Sequence, residues 1–387
     1  MYLLTNIKEE CVGCEACANA CPRQCIHMKQ DAEGFIYPFI KEDECIHCGI
    51  CEKVCPIQKP KKEETEPVVY AVKHKDKGIQ MESSSGGAFT AIAESVLREN
   101  GVVYASCFNT DKEVEINRID KFSDLKKARK SKYVQSKMNK VHCSVIEDLR
   151  AGKTVLFVGT ACQCDSIRCF LDVKKVDKSK FLLVDIICHG VASPKIWMEY
   201  LQQHEKMKKD KIVDIDFRDK SNGWAPMKMN ITFQKSDNYK NYSRFDGYYR
   251  LFFGHYIIRP ACHDCKYTTI HRKNDITIAD FWGIKNISPE LYDEYGVSMA
   301  MTNTEKGKLY IESIRSTAEV NRVNCDDISV YQPNLKRPTP PNRNRNKFWL
   351  LYAKSGFAKA FKKYGEFSTL DRFIDDVKNI IVRIVRK

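Results

Sequence analysis

The sequence contains no apolar run long enough to cross a membrane. Its longest apolar stretches, such as Phe181–Cys188, fall far short of the ~20 residues a spanning helix needs. Met1–Glu10 lacks the charged-then-apolar pattern of a secretory leader. No recognised nucleic-acid motif accompanies the basic charge, so no nucleic-acid partner is expected. A serine–glycine loop at Ser83–Thr90 matches neither the Walker A pattern nor G-x-G-x-x-G. These absences point to a cytoplasmic protein in a reducing compartment.

Apolar and charged residues are plentiful. Of 387 residues, 43% are hydrophobic and 11% aromatic, enough for a sizeable core and too many for wholesale disorder. The length allows a small domain followed by a large one. The net charge of +14 is uneven: residues 335–387 hold +10 of it, whereas residues 1–60 carry −3.

Nine of the 18 cysteines lie in the first 55 residues. Cys11, Cys14, Cys17 and Cys21 precede Pro22, and Cys45, Cys48, Cys51 and Cys55 precede Pro56. Each set reads C-x2-C-x2-C-x3-C-P, the second 34 residues after the first. This is the two-cluster 4Fe–4S ferredoxin pattern, in which the fourth cysteine of each run ligates the other cluster. Cys11, Cys14, Cys17 and Cys55 are therefore expected around one cluster, and Cys45, Cys48, Cys51 and Cys21 around the second. Thiolates two residues apart on a tight loop can wrap three corners of a cube, and the proline turns the chain away. The alternative is a pair of four-thiolate zinc sites. Cys25 has no duplicate and reads as a small buried residue.

A charged linker, residues 57–67, follows, giving a ferredoxin domain at 1–60. Strands are expected at Val68–Val72, Val102–Ala105, Thr154–Val158 and Phe181–Ile187, with a helix over Ala91–Asn100 stopped by Gly101. Such alternation predicts a mixed or mostly parallel sheet with its sites at the strand C-termini. The fold class is thus α+β overall: a small ferredoxin-like domain, then a larger α/β domain at 68–334. The loop Ser83, Ser84, Ser85, Gly86, Gly87, running to Thr90, opens a helix and could hold a phosphate, although an ordinary N-capped helix gives the same pattern. Cys162 and Cys188 sit at expected strand ends, and Cys262 and Cys265 form a C-x-x-C. Together these four would complete a third cluster. Buried thiols, a redox dithiol or half a zinc site would also account for them. Cys164 and Cys169 compete with Cys162.

The order of these blocks resembles the beta subunit of coenzyme F420 hydrogenase and dehydrogenase. The resemblance runs to about Thr304 and rests on the fused ferredoxin module, Ser83–Gly87, Lys132–Ser136, Gly159–Gln163, Ile187–Gly190, Arg259–Cys265 and Asp275–Gly283. Ala161 departs from the proline common there. The resemblance implies FAD and a further 4Fe–4S cluster in the large domain, hydride exchange with a soluble deazaflavin, and the Ser83–Thr90 loop on the flavin diphosphate. It also implies an oxidoreductase whose redox partner is a protein or a soluble carrier. The alternative is a non-catalytic electron-transfer subunit docked on another enzyme, as in relatives associated with cell-surface polysaccharide synthesis.

Other residues have two readings each. His189 reads as a proton carrier or a packed turn histidine. Arg218 and Lys220 read as anion ligands or as a solvated pair. Tyr248, Tyr249, Phe252, Phe253 and Tyr256 read as core or as a flavin cover. Residues 335–387 read as a basic extension. Leu370–Lys387 is expected to form a basic amphipathic helix, for an anionic membrane surface at the inner face, a partner, or its own domain.

Overall fold

A computed structural model describes residues 8–57, 66–325 and 327–367. Most of the expected linker and the expected amphipathic helix Leu370–Lys387 lie outside the described residues. No described helix is long and apolar enough to cross a membrane.

The duplicated cysteine motif folds twice into the same loop. Gly13 and its counterpart His47 have φ of 66° and 51°, and Glu15 and its counterpart Gly49 have 63° and 68°. These left-handed turns bring the Gly13 and His47 amides onto the Cys11 and Cys45 sulfurs at 3.3 and 3.4 Å. Short helices, Ala16–Ala20 and Ile50–Lys53, follow. Between the halves runs the hairpin of β1 (Ile26–Gln30) and β2 (Ile36–Ile40).

The large domain is built on an eight-stranded mixed sheet. Its strands in chain order are β3 (Val68–His74), β4 (Val102–Phe108), β5 (Val114–Ile119), β6 (Val155–Thr160) and β7 (Phe181–Ile186). After a small antiparallel sheet of β8 (Ile212–Asp216), β9 (Lys228–Phe233) and β10 (Tyr239–Tyr242) come β11 (Ile276–Asp280), β12 (Ser298–Thr302) and β13 (Ala318–Arg322). The order across the large sheet is β13-β3-β12-β11-β7-β6-β4-β5. Strands β11, β7, β6 and β4 pair in parallel, and the flanking pairs are antiparallel.

The expected strands are present with shifted ends, and the expected helix begins earlier, at Ala88–Arg98. Both faces of the central strands are buried, yet the period-two pattern survives as a division between two cores. Leu156 and Val158 of β6 join Ala91, Ile92 and Val96 on one face. Val155 and Phe157 join Ile167 and Phe170 of the helix Ala161–Val173 on the other. Ala16, Ala20 and Val54 of the ferredoxin domain belong to this second core. Two interlocked parts therefore share one apolar seam.

The segment expected as an extension is partly built into the large domain. Leu335 is buried, and the helix Arg345–Tyr364, broken at Gly356, places Phe348, Trp349 and Tyr352 in an aromatic core with Trp197 and Tyr200. Basic residues are interleaved with this aromatic face along the helix, which hides it in the sequence. Arg345 also pairs with Glu33 of the ferredoxin domain at 2.9 Å.

Candidate redox sites

In both halves of the ferredoxin domain the cysteines ring a space instead of closing on a point. Among the described residues no three His, Cys, Asp or Glu side chains come within reach of one ion. One cavity is lined by Cys11, Cys14, Cys17, Cys55 and Cys51, and the next by Cys21, Cys25, Cys45, Cys48 and Cys51. The fourth cysteine of each run thus faces the opposite triplet, which is the crossed arrangement expected of a four-iron pair. Burial, and then the neighbouring Cys17 and Cys55, push the Cys14 thiol well up. Cys25 is buried and its sulfur lies 3.4 Å from that of Cys21.

A third cavity is lined by Cys162, Cys188, Cys262 and Cys265, the four separated cysteines. Cys162 sits in the first turn of the helix Ala161–Val173, whose start is fixed by a reciprocal Thr160–Gln163 capping box. Cys188 follows β7 at its C-terminal end, and its sulfur accepts the Gly190 amide at 3.3 Å. Cys262 lies on the short helix Pro260–Asp264, with Cys265 just beyond. Burial, followed by the proximity of Cys265, pushes Cys162 up to about 11. Burial and then Cys162 push Cys262 up to about 12. A metal group bound there would have to displace these protons, because the ligand is the thiolate. The competitors point elsewhere: Cys164 donates to the Val184 carbonyl at 3.4 Å, and Cys169 reaches Asp165 at 4.0 Å.

Beyond this cavity opens a cleft of about 1800 Å³, its mouth included, at the C-terminal ends of the parallel strands. Ser83, Ser84, Ser85 and Gly87 line it, as do Phe252, Phe253, Trp282 and Tyr331. Gly86 and Thr90 stand behind the wall. A Cβ on Gly86 would lie 2.1 Å from the Val72 carbonyl oxygen, so this glycine permits packing on β3. Gly87 has φ +96°, and a Cβ there would meet His74 at 2.9 Å. Thr90 is fully buried and its hydroxyl accepts from Arg129 at 3.3 Å.

The serine hydroxyls largely build the loop. Ser83 donates to the Ile79 carbonyl at 2.7 Å, Ser84 accepts from the Ser131 amide at 2.8 Å, and Ser85 meets Ser298 at 2.7 Å. Lys220 is not a solvated cation. Its ammonium donates to the carbonyls of Gln80, Ser85 and Tyr295 at 2.8, 2.6 and 2.5 Å, clamping the loop from behind. Arg218 lines the cleft but is held by Asp280 at 2.7 and 3.0 Å, Tyr133 at 3.0 Å and the Ser84 carbonyl at 3.0 Å.

Residues not singled out individually from sequence complete the wall. Arg129, Lys130 and Lys132 line the cleft beside the serine loop, with Arg129 paired to Glu82 and Lys130 to Asp216. Lys132 donates to the Arg129 and Lys130 carbonyls at 2.9 and 3.2 Å, and burial pushes its pKa down to about 8. Only the Lys132–Ser136 block hinted at this. Tyr248 and Tyr249 are core residues, whereas Phe252 and Phe253 reach the cleft. His189 is packed 5.4 Å from both phenylalanines and 5.0 Å from His255, and burial pushes its pKa down to about 4.

The cavities adjoin in series. The second and first share Cys51. The first and third share Glu10, Val12 and Ile57. The third and the cleft share Thr160, Cys188, His189, Gly190, Val191 and Asn334.

Residues 69–142 match the coenzyme F420 hydrogenase/dehydrogenase beta subunit N-terminal model, and residues 152–327 match its C-terminal model. Residues 10–59 match the 4Fe-4S dicluster domain. No curated protein matches the sequence. Among solved structures, a chain of the xenon-derivatised F420-reducing NiFe hydrogenase complex from Methanosarcina barkeri aligns with a TM-score of 0.50 and 15% identity. The alignment covers 77% of this chain and 96% of that one. At that identity the likeness is one of fold.

Proposed function

The chain belongs to the coenzyme F420 hydrogenase/dehydrogenase beta-subunit family, with a 4Fe-4S dicluster domain in front, and from that premise we propose that it is a flavin-dependent iron–sulfur oxidoreductase with three clusters. Cys11, Cys14, Cys17 and Cys55 would hold the first, Cys45, Cys48, Cys51 and Cys21 the second, and Cys162, Cys188, Cys262 and Cys265 the third. FAD would occupy the cleft, with coenzyme F420 or another soluble acceptor as the hydride partner. The observation carrying this reading is the row of shared walls from the Cys45 cavity to the cleft. When bound, clusters supply one-electron relay and a flavin supplies the junction to hydride chemistry.

The chain's own residues have separable tasks. Lys132, with Arg129 and Lys130 that are paired to Glu82 and Asp216, would offer cationic donors to a diphosphate beside the Ser83–Gly87 backbone. Arg218 and Lys220 keep that backbone in place, and Phe252, Phe253 and Trp282 offer apolar surface to an aromatic ring. His189 and Val191 pack between the third cavity and the cleft. At the far end Cys48 is exposed, beside Ile46 at 59% exposure, so the outer cavity is where a protein carrier would dock.

The test is cofactor content of protein prepared without oxygen. Iron for three four-iron clusters and about one flavin per chain are expected. Clusters without flavin would favour an electron-transfer subunit that serves a partner's substrate site. Flavin that reduced coenzyme F420 cannot reduce would exclude that coenzyme and keep the rest.

A further inference from the structure

Arg259 is fully buried, with its main chain in one site and its head in another. It lines the third cavity, three residues before Cys262. Its guanidinium crosses into the ferredoxin domain. Nε donates to the Cys11 carbonyl at 2.8 Å, Nη1 to Gln135 Oε1 at 2.8 Å, and Nη2 to the Ile36 carbonyl at 3.0 Å and the Cys11 sulfur at 3.7 Å. It lies 4.4 Å from the Tyr37 ring centroid and 5.3 Å from that of Phe35. Gly13 is required there, since a Cβ would stand 2.6 Å from Nη1.

Among the described residues no Asp or Glu oxygen pairs with Arg259. Buried cations need a counter-charge, and the Cys11 sulfur, a thiolate once it ligates a cluster, is the group of that kind to which Arg259 donates, at 3.7 Å. The duplicated motif makes the point sharper. Cys45 is the counterpart of Cys11 and keeps the matching backbone bond, from His47, but among the described residues no arginine donates to its sulfur, although Arg23 lines the same cavity.

We propose that Arg259 is a positioning cation: it neutralises the Cys11 thiolate and raises the reduction potential of the first cluster relative to its duplicate at Cys45. Reduction adds negative charge to a cluster, so a buried cation donating to a ligand sulfur favours the reduced state. The inference rests on the cluster assignment above.

The test is a potentiometric titration of the full chain, followed by electron paramagnetic resonance. The first cluster's wave is identified as the one Cys14→Ser disturbs. Arg259→Gln should move that wave to lower potential and leave the Cys45 wave in place, while Arg259→Lys should fall between. Gln135→Glu keeps the arginine, sets a carboxylate against Nη1 at the cost of the amide bond to the Val12 carbonyl, and should lower the same wave. This variant decides the matter if Arg259→Gln loses iron. An unmoved first wave in fully loaded Gln135→Glu protein, or equal movement of both waves, overturns the proposal. A parent protein holding fewer than two clusters overturns the assignment beneath it.

Discussion

The two parts of this chain reach order by opposite means. The ferredoxin domain has few buried apolar side chains of its own, among them Ala16, Ala20, Phe35 and Val54, and three of these four face the other domain's core. A domain this small has a marginal core, and bound metal would add to its stability. The large domain instead buries both faces of an eight-stranded sheet. Its sites are consequences of that scaffold, placed where parallel strands end. The difference teaches that local spacing can define a metal site, whereas a cofactor cleft must be assembled from distant segments.

The largest effect should come from removing iron. Anaerobic chelation is expected to make residues 8–57 sensitive to protease while the region from β3 to β13 stays resistant, as read by mass spectrometry of the fragments. Simultaneous digestion of both regions would show that the sheet, too, depends on metal. A smaller effect is expected in the opposite direction. Phe157→Ala in the sheet core should cost about 3–5 kcal/mol, seen as a lower denaturation midpoint in iron-loaded protein. A near-silent substitution would mean that the sheet core is less decisive than its burial implies.

The subtlest effect concerns the cleft. Burial holds Lys132 down to about 8, so the free protein loses this charge as pH rises through that value. An anionic ligand there should be retained below it and released above it, by up to about tenfold per pH unit. Lys132→Met should weaken retention at low pH and flatten the profile. Flavin fluorescence after dialysis on either side of that pH measures both. An unchanged profile in the variant would remove Lys132 from the ligand's surroundings.

Legibility followed the same division. The eight ferredoxin cysteines were readable because each run of four is local and its copy stands 34 residues away. The strands were readable from short β-branched runs between turns. Cys162, Cys188, Cys262 and Cys265 could be grouped but not joined, because no sequence spacing reveals that positions 103 apart close onto one cavity. Gly86 and Gly87 read from sequence as room for a ligand, and the structure shows that their lack of a Cβ is also required for packing on β3. Gly87→Asp would therefore strain the loop before it met any phosphate. Lys220 and Arg259 were unreadable in role, since their partners are carbonyls and a sulfur far along the chain.

The apolar seam between the domains also orders events in time. Ala16, Ala20 and Val54 are made well before the helix Ala161–Val173 that covers them. At ~5–20 residues per second, the ferredoxin segment waits several seconds at least on the ribosome with that face uncovered. Iron delivery during this interval would meet an undocked module, with Cys11 and Cys14 not yet closed in by Arg259 and the third cavity. Delivery afterwards would have to work through a finished interface. The seam that fixes the spacing of the sites thus makes cluster loading a matter of timing as well as affinity.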